Sequence, residues 1–234
     1  MQFVNQEIYP GEFLLHKKYA QSELLLDLVW THCNIITEIA LSLLDSGHFD
    51  INETPRDITT QAALLHDIGV YQCGGFEWMP NQPPSEKPYI QHTVVGAWIL
   101  QQEGYSPPVI QSAYVHTGVG LTGQDISMYQ LNLPPDDYVL RTMLQKLITY
   151  ASKFHSKTPK FRTAADISAS LEKYGPEKVN TFIQFQQLFG EPDIEPIQKR
   201  YQDWHKAFEY QLSQVSNSQL PPPPLNTAGI STPH

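Results

Sequence analysis

Ala62-Ala63-Leu64-Leu65-His66-Asp67-Ile68-Gly69 is the stretch whose reading decides the fold. An apolar run carries the segment into a core, and then two polar side chains follow that are costly to bury unless they find partners. A neutral imidazole beside a carboxylate, at a helix end closed by glycine, offers two metal ligands from one rigid turn. The two carboxylate oxygens also allow Asp67 to bridge two ions. Taken alone, the doublet fits a hydrogen-bonded helix end equally well. The other histidines decide between these readings.

Upstream, Ser22 to Leu44 reads as a long amphipathic helix. Leu25, Val29, Ile36, Ile39 and Leu43 recur at steps of four and three, and His32 fills the gap in that stripe. His32 therefore faces the core. Cys33 lies about 100° further round the helix and is not counted as a ligand. Thr54-Pro55-Arg56-Asp57 has the form of a helix start, with a capping hydroxyl, a proline in the first turn and an acid after it. That helix runs to His66-Asp67 and is expected to stop near Gly69.

Downstream, Tyr71 to Pro88 is rich in Gly and Pro and carries Phe76, Trp78 and Met79, which suggests a lid over a site. Tyr89-Ile90-Gln91-His92 opens the next helix, which ends at Gly104. Ser106-Pro107 starts another, on which Val109, Ala113 and His116 share a face. Thr117-Gly118-Val119-Gly120 follows as a flexible turn. A helix is expected from about Asp137 to His155, introduced by Pro134-Pro135, with Leu140, Leu144, Leu147 and Ala151 buried. Further helices are expected near Thr163–Tyr174, Pro176–Phe189 and Ile194–Val215, with Tyr201, Trp204 and Phe208 as a packing stripe. No stretch reads as a convincing strand, so the fold class is all-α. The domain boundaries follow: one domain over 1–215, then a Pro-rich, disordered tail over 216–234.

Composition narrows the function. The 234 residues are 41% hydrophobic and 17% charged, enough for one substantial core. The net charge is −9 and no Lys/Arg run stands out, which argues against a nucleic-acid partner. A phosphorylated small molecule stays open if a metal supplies local positive charge. Two cysteines, Cys33 and Cys73, do not make a disulfide framework. There is no leader-like N-terminus and no run of eighteen apolar residues, so the expectation is a cytoplasmic protein without a membrane partner.

His32, His66, Asp67, His92 and His116 thus sit on successive helices, each on an apolar face or at a helix end. Separate core histidines would each need a partner of their own, whereas one metal centre satisfies them together. Imidazole and carboxylate donors suit Fe, Mn, Ni or Zn, one or two per chain. This ordered set resembles the HD superfamily of metal-dependent phosphohydrolases, closest to the branch with the string His66-Asp67-Ile68-Gly69. The resemblance spans about Ser22 to Lys157 and implies an HD-domain helical bundle with additional C-terminal helices. It implies a first metal held by His32, His66 and Asp67, and a second held by Asp67, His92 and His116. A late aspartate in an Ala-Asp-Lys setting should complete the first site, but this chain reads Ala151-Ser152-Lys153. Ser152 and His155 are the candidates for that fourth place, and Asp125, Asp136 and Asp137 are others that could reach in.

The leading expectation is hydrolysis of a phosphate ester or anhydride in a small, nucleotide-like molecule. Asp67 and His66 would be the catalytic pair, with Lys153 and Arg56 as weaker candidates for the substrate phosphate. Two alternatives stay open. One is a degenerate domain that holds a metal or nucleotide as a regulatory module without turnover, which Ser152 favours. The other is a di-iron oxygenase using the same histidines. A homo-oligomer is compatible with all three.

Overall fold

The computed structural model describes residues 3–46, 54–79 and 85–219, with backbone alone beyond 214. Among them run ten α-helices: α1 (Pro10–Tyr19), α2 (Glu23–Asp45), α3 (Arg56–Leu65), α4 (His92–Gln102), α5 (Pro107–Val115), α6 (Gly123–Met128), α7 (Met143–Ala151), α8 (Ala164–Leu171), α9 (Pro176–Phe189) and α10 (Glu195–Gln219). One two-stranded antiparallel ribbon, β1 (His155–Ser156) with β2 (Lys160–Phe161), pairs His155 with Phe161. The all-α class holds.

Helix α2 is the axis of the bundle. Ser22 caps it by accepting a hydrogen bond from the Leu25 amide, and nearly every side chain from Leu25 to Leu44 is buried. It is long and apolar enough to cross a membrane, but that surface is spent on α1, α3, α7 and α10, which pack around it. Helices α4 and α5 pack on each other, α5 also meets α3 and α7, and α9 closes on α7. Tyr201 and Phe208 bury the expected face of α10, and the Trp204 indole donates to Asp27 at 3.1 Å.

Several expected boundaries move, each for a local reason. Thr54 does not cap α3: the N-cap is Pro55, and the Thr54 carbonyl instead accepts from the Thr59 hydroxyl. The helix expected over Asp137–His155 is only Met143–Ala151. Tyr138 bridges Leu121 in extended pairing, and Thr142 starts α7 through a capping box with Gln145. The short α6 was missed, although Thr122 and Asp125 form the same box. His155 lies in β1 and not in a helix. Phe76 and Met79 are anchored in the core, so that part of the expected lid is fixed, and residues 80–84 lie outside the described residues. Helix α10 continues to Gln219, past the expected domain end at 215, and the tail from 220 on lies outside the described residues.

His16 shows what a satisfied core histidine looks like in this fold. It is fully buried, with Nε2 donating to the Leu64 carbonyl at 2.9 Å and Nδ1 taking the Tyr71 hydroxyl proton at 2.7 Å. Burial lowers its pKa to about 4. The unfolded chain therefore binds a proton here that the folded one refuses, and stability present above pH 6.5 is lost as pH falls toward 4. Per such group the loss is about 1.4 kcal/mol per pH unit. Urea melts between pH 7 and pH 4.5 should show His16→Asn losing less stability on acidification than wild type. Parallel curves would remove His16 from the acid response.

Candidate metal centre

Asp67 follows the His66 C-cap of α3 and turns into a 3-10 segment, Ile68–Gln72, which places its carboxylate at the centre of the bundle. Both of its oxygens are buried. On one side, Asp67 Oδ2 lies 3.1 Å from His32 Nε2 and 3.0 Å from His66 Nε2. On the other, Asp67 Oδ1 lies 3.4 Å from His92 Nε2 and 3.3 Å from His116 Nε2, with those two nitrogens 3.0 Å apart. The five residues expected from the sequence thus form two triads on one shared carboxylate, each with its ligand atoms within 4.8 Å of one another.

The tautomers show what these atoms can do. His66, His92 and His116 each direct Nδ1 at a carbonyl three residues back, on Ala63 at 2.7 Å, Tyr89 at 2.7 Å and Ala113 at 2.8 Å. A carbonyl only accepts, so each Nδ1 carries hydrogen and each neutral ring presents a lone pair at Nε2. His32 reaches the same state through a longer chain. His205 Nδ1 faces the Tyr201 carbonyl at 2.9 Å and must donate, so its Nε2 accepts from His155 Nε2 at 3.1 Å. His155 Nδ1 is then an acceptor, and His32 Nδ1 donates to it at 2.9 Å. One carbonyl on α10 therefore fixes a lone pair on His32 Nε2, directed at Asp67.

Burial holds His32, His92 and His116 neutral. It lowers the pKa of His32 to about 3 and of His116 to about 4, and pushes His92 well down. Burial alone would raise Asp67, but the positive charge beside it, that of Lys157 included, outweighs burial and holds the carboxyl well below its usual range. Lone pairs of like sign therefore face one another at contact distance, an arrangement that a cation relieves and hydrogen bonding among the rings does not. Unlike His16, His32 and His66 leave Nε2 without a hydrogen bond. The donor set fits a transition-metal ion.

The remaining expected residues fall elsewhere. Ser152 caps the end of α7 and gives its hydroxyl to the Thr149 carbonyl at 2.8 Å. His155 meets His32 at Nδ1, behind the centre, so neither is a fourth ligand. Asp125 caps α6 and pairs with Lys178, Asp136 accepts from Tyr114, and Asp137 accepts from the Gly123 amide. Arg56 pairs with Asp45 on the surface, at the far end of α3 from His66. Lys153 comes closer, its Nζ donating to the His116 carbonyl at 3.3 Å, with its pKa lowered to about 8 by burial. The residue that sequence reasoning missed is Lys157, whose Nζ lies 2.5 Å from Asp67 Oδ2. It comes from the turn after β1, and its ammonium stands over the Tyr89 ring, 5.5 Å from the ring centroid.

A helical bundle with histidine–aspartate triads on one shared carboxylate defines a candidate metal-binding domain. Residues 29–154, more than half of the chain, match the HD domain family, and the chain belongs to it. It is 32% identical over 134 residues to a tRNA (cytidine(56)-2'-O)-methyltransferase of Thermoplasma volcanium, covering 57% of this chain and 32% of that one. An uncharacterized protein of Methanocaldococcus jannaschii is 30% identical over 124 residues, covering 51% of this chain and 62% of that one. The chain thus spans about a third to three-fifths of the length of these relatives. Among solved structures, the HD domain of the L. monocytogenes phosphodiesterase PgpH superposes with a TM-score of 0.44 at 15% identity, over 89% of this chain and 98% of that one.

Proposed function

We propose that this protein is a divalent-metal-dependent phosphohydrolase acting on a small phosphorylated molecule of the nucleotide kind. The observation that carries the reading is the pair of lone-pair triads meeting on Asp67, within an HD domain. A divalent ion held there supplies a bound water of lowered pKa and a Lewis acid for a phosphoryl oxygen. The chain's own residues do the rest. His92, His116 and Lys157 keep slightly exposed side chains, at 6%, 5% and 15%, while His66 and Asp67 keep none, so substrate enters over the first three. Tyr89 stacks on His92 with ring centroids 4.6 Å apart and fixes its plane. Lys157 and Lys153 place positive charge where a phosphate would lie.

A mostly apolar cavity of about 140 Å³ is lined by Thr117 and Ile90, one and two residues along the chain from His116 and His92, and walled by Tyr129 and Tyr174. It suits a compact ring attached to the phosphate. The acidic chain, at net charge −9, supports a small substrate over a polynucleotide, and a cytoplasmic setting is part of the same proposal. The reading is tested by loading the protein with Mn, Fe, Ni or Zn and following phosphate release from nucleotides, cyclic dinucleotides and p-nitrophenyl phosphate. Release should require metal and be lost in His92→Ala. Equal release from that variant would defeat the assignment. One observation favours the regulatory alternative: the ammonium of Lys157 already neutralises Asp67. Tight nucleotide binding with no turnover under any of these metals would decide for it. Nothing in the site favours the oxygenase reading.

A further inference from the structure

We propose that the two halves of this centre are not equivalent: the ammonium of Lys157 is the resident cation of the His32–His66 half, and the chain takes a single metal ion, at Asp67 Oδ1, His92 and His116. The inference rests on the phosphohydrolase reading and deepens it.

Geometry comes first. Lys157 Nζ lies 2.5 Å from Asp67 Oδ2, the same oxygen that His32 and His66 approach at 3.1 and 3.0 Å. An ammonium has three donors and no acceptor. The acceptors clustered there are also three: the carboxylate oxygen and two imidazole lone pairs whose orientation is fixed by the Ala63 carbonyl and by the His155–His205 chain. The ammonium thus stands on the very oxygen that an ion of this half would take, and brings a positive charge there. Among the described residues no Lys or Arg pairs with Asp67 Oδ1, and His92 Nε2 and His116 Nε2 face each other at 3.0 Å as two acceptors.

Charge gives the same answer. Asp67 is the one carboxylate in either triad among the described residues. With Lys157 paired to it, the cluster is neutral before any ion arrives. One divalent ion makes it two units positive, which a phosphate dianion matches. Two ions would leave four positive units in a buried site with no second carboxylate, and desolvation makes such an excess costly. A fixed ammonium orients and neutralises, yet it has no open coordination position. A metal-bound water would then belong to the His92–His116 half.

The test uses the full chain and Mn(II) alone, read by elemental analysis, calorimetry and electron paramagnetic resonance, with no substrate present. Wild type should hold one Mn per chain and show an isolated Mn signal. His92→Ala should weaken Mn binding at least 100-fold, whereas His32→Ala should change it less than about fivefold. Lys157→Met should admit a second ion and give a coupled two-Mn signal, while Lys157→Arg should stay at one. Two Mn per wild-type chain, equal losses in His32→Ala and His92→Ala, or a single Mn in a folded Lys157→Met would each overturn the inference while leaving the hydrolase reading intact. No Mn in wild type at millimolar concentration would overturn both.

Discussion

Asp67→Ala is expected to lose all bound metal and to leave the metal-free protein about 3–5 kcal/mol less stable, the range for stranding one partner of a buried ion pair. Two losses combine. The carboxylate supplies an oxygen to each triad, so its removal leaves pairs of imidazoles where there were three donors. It is also the counter-charge of Lys157, whose side chain is only 15% exposed and whose ammonium would be left in the core without an anion. The double variant Asp67→Ala/Lys157→Met separates the two terms. It should recover much of the stability, because no charge is stranded, while still binding no metal. Urea unfolding of the metal-free proteins, with Mn calorimetry beside it, reads both quantities. If Asp67→Ala were as stable as wild type, the Asp67–Lys157 pair would not exist in solution as the structure places it.

How far this centre was legible depends on which signals are local. His32, His92 and His116 could be placed because a helix repeats every 3.6 residues, so a histidine in an apolar stripe must face the core whatever the tertiary contacts are. Asp67 came with His66 for the same reason. Lys157 could not be found in that way. It sits in the turn between two two-residue strands, where no periodicity fixes direction, and only the β1–β2 pairing carries it back over Asp67. The histidine chain through His155 and His205 joins residues 50 apart and has no trace in spacing. Other misses were readable. Thr122–Asp125 and Thr142–Gln145 are both capping boxes, and the second gives the true start of α7. The expected helix runs too far because Pro134-Pro135 reads as the introduction to a helix from Asp137, whereas Tyr138 pairs in extended form with Leu121.

Gly69 joins fold to site, and Gly69→Ala is the second large effect expected. The sequence suggested a helix stop, but α3 has already ended at Leu65 and Gly69 lies within the 3-10 segment that follows. Its role is proximity. A Cβ there would stand 2.0 Å from the His92 carbonyl oxygen and 2.4 Å from the Gly96 amide nitrogen, so the first turns of α4 rest directly on this residue. Both obstacles are backbone, and no rotamer change relieves them. Alanine must push α4 away, which should cost about 3 kcal/mol or more, the upper range for overpacking. The same displacement moves His92 from Asp67 and His116, so Mn affinity should fall with stability. Gly96 is the matched control on the opposing face. Its added Cβ would meet the Gly69 nitrogen at 3.3 Å and an Ile68 methyl carbon at 3.6 Å, tight but tolerable. Replacing a mid-helix glycine by alanine also gains up to about 1 kcal/mol. Gly96→Ala should therefore stay within about 1 kcal/mol of wild type and keep its metal. Unfolding curves and Mn titrations of the two variants make the comparison, and equal behaviour would mean that α4 does not approach the His66-Asp67 turn as closely as this packing requires.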